Sequence, residues 1–149
     1  MKTRTIVILL TAGIFLFGMI SCEQEQTAAG MRDALEGEWK VDENSEFYRK
    51  SATGVYNVYI SLSTQDTTGL YIANFYQLTY ENEVRATLDN GRIILDPGQE
   101  VTLLNSLYKI VEGTGVVSSD YQSINWTYQV DDLSGEIDHV TATYSRVDK

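Results

Sequence analysis

The sequence predicts an all-β domain, an eight-stranded antiparallel up-and-down barrel, and three observations carry that expectation. From Glu38 onward apolar and polar residues alternate with period two, as on strands with one buried and one wetter face. Val, Ile, Thr and Tyr dominate these stretches, side chains that suit a pleated surface. Short turn signals recur, and no long helical pattern follows residue 37. Connections this short favour antiparallel neighbours, because parallel ones need a crossover of about a dozen residues. Strands that would otherwise expose edges are resolved by closing into a barrel; a β-sandwich is the alternative.

The chain opens on a different pattern. Lys2 and Arg4 precede an apolar run of 15 residues, Ile6 to Ile20. Met19-Ile20-Ser21-Cys22 then sets a small residue before the only cysteine. This is the layout of a secretory signal, and the run is too short for a comfortable transmembrane helix. The four residues resemble the lipobox of Gram-negative lipoproteins, in which Leu usually stands where this chain has Met19. The resemblance implies that residues 1–21 are a signal peptide removed before Cys22. It also implies that Cys22 carries a thioether-linked diacylglycerol and, on its new amino group, an acyl chain such as palmitate. An ordinary signal cut elsewhere would leave Cys22 a free thiol. Lipid chains contribute about 0.8 kcal/mol per buried CH₂, so three would hold the protein at the outer membrane, on its periplasmic or cell-surface face.

Cleavage there removes 21 of the 149 residues and leaves 128, enough for one domain with a core and hardly for two. No second cysteine exists, so packing rather than a disulfide must hold that core. Loss of Lys2 and Arg4 takes the formal charge from −10 to −12. Such acidity argues against nucleic acid and suits cationic partners. Residues 22–30 read as the lipidated cysteine and a flexible tether, and residues 31–149 as a single domain. The eight tether residues after Cys22 reach at most about 26 Å. Met31, Ala34 and Leu35 then fall at helical spacing with Gly37 placed to stop the turn, which predicts one short helix over Met31–Glu36.

Turn signals divide the rest into strands near 38–42, 54–62, 69–78, 83–89, 92–95, 106–113, 122–131 and 136–146. Asp89-Asn90-Gly91-Arg92 is the firmest link, because Asn-Gly tolerates the positive φ values of a two-residue hairpin turn. Leu133-Ser134-Gly135 joins the last two strands in the same manner. Pro97, the only proline, fixes φ for a tight turn in Asp96-Pro97-Gly98.

Leu35-Glu36-Gly37-Glu38-Trp39 carries a Gly-x-Trp that resembles the opening of the first strand in lipocalins and their calycin relatives. In that family an arginine from the last strand packs over the tryptophan and closes the barrel base. The resemblance implies that part for Arg146, a cation–π contact of about 0.5–2 kcal/mol. Asn74-Phe75-Tyr76, Asp96-Pro97-Gly98-Gln99 and Gly113-Thr114-Gly115 look like small barrel-type lipoproteins of gut-dwelling Gram-negative bacteria. The later lipocalin motifs and the paired cysteines of many members are missing from this chain.

Chemistry is sparse. His139, the only histidine, falls on the polar side of its strand and reads as an exposed surface residue. No serine sits in a nucleophile-elbow spacing. Residues 131–138 gather oxygen ligands around Gly135 but read as an acidic hairpin turn, with no zinc spacing anywhere. No metal, cofactor or enzymatic activity is expected. Aromatic residues recur on strands instead, and Tyr59, Tyr76, Trp126 and Tyr128 are the candidate ligand-binding residues. The expected function is a membrane-anchored binding module for a small apolar or amphipathic ligand in the barrel mouth. The alternatives are a filled barrel that binds an envelope protein partner, and a glycan-binding surface lipoprotein. An open apolar cavity would favour the first and a solid core the second.

Overall fold

The computed structural model describes residues 28–46 and 55–147. The expected signal peptide, Cys22 and the expected tether up to residue 27 lie outside the described residues.

A short helix, α1 (Ala28–Leu35), leads into β1 (Gly37–Ser45), β2 (Val55–Leu62) and β3 (Gly69–Ala73). A 3₁₀ turn at Phe75–Gln77 precedes β4 (Glu83–Asp89) and β5 (Arg92–Leu95). β6 (Gln99–Leu103), β7 (Ser106–Val117), β8 (Ser123–Asp131) and β9 (Ile137–Arg146) follow. The sheet order β5-β4-β3-β2-β1-β9-β8-β7-β6 closes through an additional β5–β7 pairing. β7 pairs with β6 near its start and with β5 near its end, so β5 and β6 share one stave. The result is the closed eight-stranded antiparallel barrel that the sequence predicts.

Three elements differ from expectation. Helix α1 begins three residues earlier, because Ala28-Ala29 are strong helix formers and extend it into the presumed tether. The strand expected over 69–78 stops at Ala73, since Asn74 adopts the left-handed conformation at φ 61°. Its amide donates to Asn57 O (2.8 Å) and accepts from Thr79 N (3.0 Å), which holds the chain in a turn. β6 is a strand where the reading of the sequence saw only a turn and its sequel. There Gln99 stands in for backbone: its Oε1 accepts from Arg85 N and its Nε2 donates to Arg85 O, both at 2.7 Å. These bonds carry pairing to β4 across the corner made by Pro97 and Gly98.

Most inward positions are apolar and most outward ones polar, as Trp39 and Val41 against Lys40 and Asp42 illustrate on β1. That is the reverse of a barrel whose outer face meets lipid. Among the described residues no helix is long and apolar enough to cross a membrane. The strands define two ends. The base carries α1 and the Asn90-Gly91 turn; the mouth carries the 3₁₀ turn, the β6–β7 turn and the β8–β9 turn.

Candidate functional site

The base is a hydrogen-bonded plug. A helix ends with carbonyls that have no partner inside it. Those of α1 are met by side chains from the barrel: Trp39 Nε1 donates to Leu35 O at 2.9 Å, and Arg146 Nη1 to Ala34 O at 2.7 Å. Arg146 Nη2 reaches Glu36 O at 2.7 Å, and its guanidinium carbon stands 5.0 Å from the Trp39 ring centroid. Gly37 has φ +130°, and a Cβ there would lie 3.3 Å from Arg146 Nη2. The backbone conformation favours glycine here, and a side chain would press on the guanidinium. Trp39 is fully buried.

Above the base the interior is aromatic. The 3₁₀ turn drops Phe75 and Tyr76 inside, where Phe75 packs on Tyr128 (centroids 4.6 Å apart) and meets Trp126 edge-on (6.2 Å). Trp126 leans on Tyr144 at 5.5 Å, and Tyr76 stands edge-on to Tyr128 at 6.3 Å. Room for these rings comes from β7. A Cβ at Gly113 would fall 2.6 Å from Tyr128 Cβ, and one at Gly115 2.7 Å from Trp126 Cε2. Of the four candidate ligand-binding residues, Tyr76, Trp126 and Tyr128 therefore come together, but against each other and Phe75. Tyr59 stands apart from them: it pairs with Glu38 on the outward side of β1–β2 and is 44% exposed.

Two interior residues escaped the reading of the sequence. Glu43 extends the inward series Trp39, Val41 on β1, and Asp138 begins the inward series Val140, Ala142, Tyr144 on β9. The parity of each strand carried that signal. Asp138 is no exposed turn acid; it is 2% exposed and accepts from Ser45 Oγ (2.5 Å), Tyr76 OH (2.6 Å) and Glu46 N (2.9 Å). Glu43 Oε2 accepts from the phenols of Tyr128 and Tyr56. Burial pushes the Glu43 carboxyl above its ordinary value of 4.5 and the Asp138 charge adds to the rise, against the lowering effect of both phenols. Burial likewise raises the Tyr128 and Tyr144 phenols. Within the barrel interior two buried donors, Trp126 Nε1 and Tyr144 OH, find no acceptor among the described residues.

His139 lies on the outer face, in a depression of about 710 Å³ lined by Thr114, Thr127 and Thr141 together with Ile94 and Pro97. It is therefore separated from the buried carboxylates by the sheet. Among the described residues no three His, Cys, Asp or Glu side chains are grouped to hold a metal ion. Comparison with protein-family models and with curated proteins finds no match to this chain.

Proposed function

We propose that this protein is a non-enzymatic lipoprotein, tethered to the outer membrane through Cys22, whose packed barrel binds a protein partner of the cell envelope. The observation that supports this reading is the occupied interior. Phe75 and Tyr76 fill the space against Trp126 and Tyr128 that an apolar ligand would need. A barrel whose mouth is closed by its own rings is left with its surface for recognition. The polar groups fit the same reading. The one histidine and the two inward-facing acids, Glu43 and Asp138, lie on opposite faces of the sheet, so among the described residues this base stands apart from both carboxylates.

A second reading, a small amphipathic ligand held inside, is favoured by the two buried donors on Trp126 and Tyr144 that lack acceptors. Native mass spectrometry of the mature lipidated protein separates the two. The expected result is the mass of the chain and its lipids alone. A co-purified small molecule, lost on Trp126→Phe with folding intact, would replace the partner reading with the ligand reading.

A further inference from the structure

We propose that the rim formed by the β6–β7 and β8–β9 hairpin tips is the docking surface, and that its partner is a protein offering an apolar cleft bordered by Lys or Arg. The inference rests on the partner-binding reading above and gives it a place and a chemistry.

Two hairpins of the barrel turn in the same way with different residues. At the base Asn90-Gly91 has φ values of 46° and 81°. At the mouth Leu104-Asn105 has 48° and 70°. A two-residue turn with both φ positive selects Asn, Asp and Gly, because a larger side chain meets its own backbone there. Leucine is strained in that conformation, its Cβ crowding the backbone. Leu104 recovers none of this through burial, being 89% exposed.

The neighbouring tip repeats the pattern. Leu133 has φ 61° and is 56% exposed, although Ser134 and Gly135 stand beside it in the turn. Its conformation is braced by the two preceding aspartates: Leu133 N donates to Asp131 Oδ1 at 2.7 Å and Ser134 N to Asp132 Oδ1 at 2.9 Å. Lys109 of β7 pairs with Asp131 of β8, which places the two tips side by side on one rim. Ile137, opposite Asp131 on β9, adds an exposed apolar side chain to it. A single exposed leucine is ordinary. Two on adjacent tips, both left-handed and both in solvent, cost the free protein twice with no return in its own core.

Charge selects the occupant. Asp131, Asp132 and Glu136 surround Leu133, while Lys109 is the only Lys or Arg in residues 99–110 and 129–138. Ser134 holds the Asp132 carboxyl below its ordinary value, so the rim stays anionic at neutral pH. Anionic lipid, nucleic acid and a second copy of the same rim are all repelled; a cleft edged with cations is attracted. The rim lies at the end of the barrel opposite α1.

The test introduces a photo-crosslinking residue at Thr102, two positions from Leu104, and a control at Asn125 on the base half of β8, each in the full lipidated protein in its own cells. A discrete protein adduct is expected from position 102 and none from 125. Leu104→Asn with Leu133→Asn should cut it at least tenfold, and Asp131→Lys with Asp132→Lys several-fold. The crosslinked segment, identified by mass spectrometry, should be apolar with flanking Lys or Arg. The leucine-to-asparagine variant should unfold at a denaturant concentration no lower than the parent, because Asn tolerates φ above zero.

Loss of stability in that variant would mean the leucines serve the fold, and would overturn the proposal. So would a crosslinked segment rich in Asp or Glu, or leucine-dependent binding of the purified protein to phosphatidylglycerol vesicles. An adduct from 125 alone would move the surface and leave the partner reading standing. No adduct from either position, with a small molecule in the native mass spectrum, would remove both.

Discussion

The two ends of this barrel are built on opposite principles. At the base Gly37 suits a φ of +130°, and Trp39 and Arg146 supply donors to the last carbonyls of α1, with Tyr121 at φ 59° in the β7–β8 turn the exception. At the mouth Tyr76, Gln77, Leu104 and Leu133 hold positive φ without being glycine, and leucines stand in solvent beside carboxylates. The two acids placed inward also lie toward that end, on the last turns of the inward series of β1 and the first of β9. Residues that ease folding gather at the base, and residues that burden it gather at the mouth. Strain and misplaced polarity persist where something other than stability selects them.

Breaking the base should cost most. Trp39→Ala empties a fully buried indole site and leaves Leu35 O without its donor, so a loss of about 3–5 kcal/mol is expected in chemical denaturation. A loss below about 1 kcal/mol would mean that the base is no anchor and that the contrast between the ends is unfounded.

The middle of the barrel should respond less. Gly113→Ala puts a methyl 2.5 Å from Leu95 Cδ1 and 2.6 Å from Tyr128 Cβ, and overpacking of this kind costs about 1–3 kcal/mol. The phenol of Tyr128 should move with it, which near-ultraviolet circular dichroism would register. An unchanged spectrum and midpoint would show that β7 yields freely and that the aromatic interior is loosely held.

The smallest effect is expected at the mouth, and with the opposite sign. Glu43 has its carboxyl raised above 4.5 in the fold, so its contribution to stability is present in full below that pH and is lost as pH rises through the raised value. Glu43→Gln keeps an acceptor for Tyr128 and Tyr56 but cannot ionise. The variant should therefore have the higher urea midpoint at pH 7, and the advantage should fade below about pH 4.5. A variant less stable than the parent at pH 7 would mean that the ionised carboxylate is needed by the phenols around it. The mouth would then carry no such burden.

Much of the architecture was legible because strand parity and turn chemistry are local. Period-two alternation placed Val84, Ala86 and Leu88 inward, and Asn90-Gly91 specified its own hairpin. The same parity would have exposed Glu43 and Asp138 as inward acids, had polar residues been followed through the series as apolar ones were. The β6 segment was obscured by Asp96-Pro97-Gly98, since its pairing with β4 is completed by the Gln99 side chain and has no sequence period. The inward plunge of Phe75 was hidden for a related reason. Tyr71 to Leu78 reads as one apolar strand, and only the bonds of Asn74 to Asn57 and Thr79, far apart in sequence or made across a turn, bend it.

By itself the sequence determined that the domain is all-β, where two of its hairpins turn, and that Gly37 and Trp39 open its first strand. Those properties follow from how each residue treats its own φ, its neighbours two positions away and water. Tertiary structure decided what the barrel contains and which residues it leaves outside. Tyr59 and Tyr128 look alike in the sequence, yet one faces solvent and the other packs on Phe75. Leu104 and Leu95 are equally apolar, yet a positive φ at a hairpin tip strands the first in water while closure of the sheet buries the second. Inside and outside are properties of a closed surface, and a surface closes only when strands distant in the chain meet.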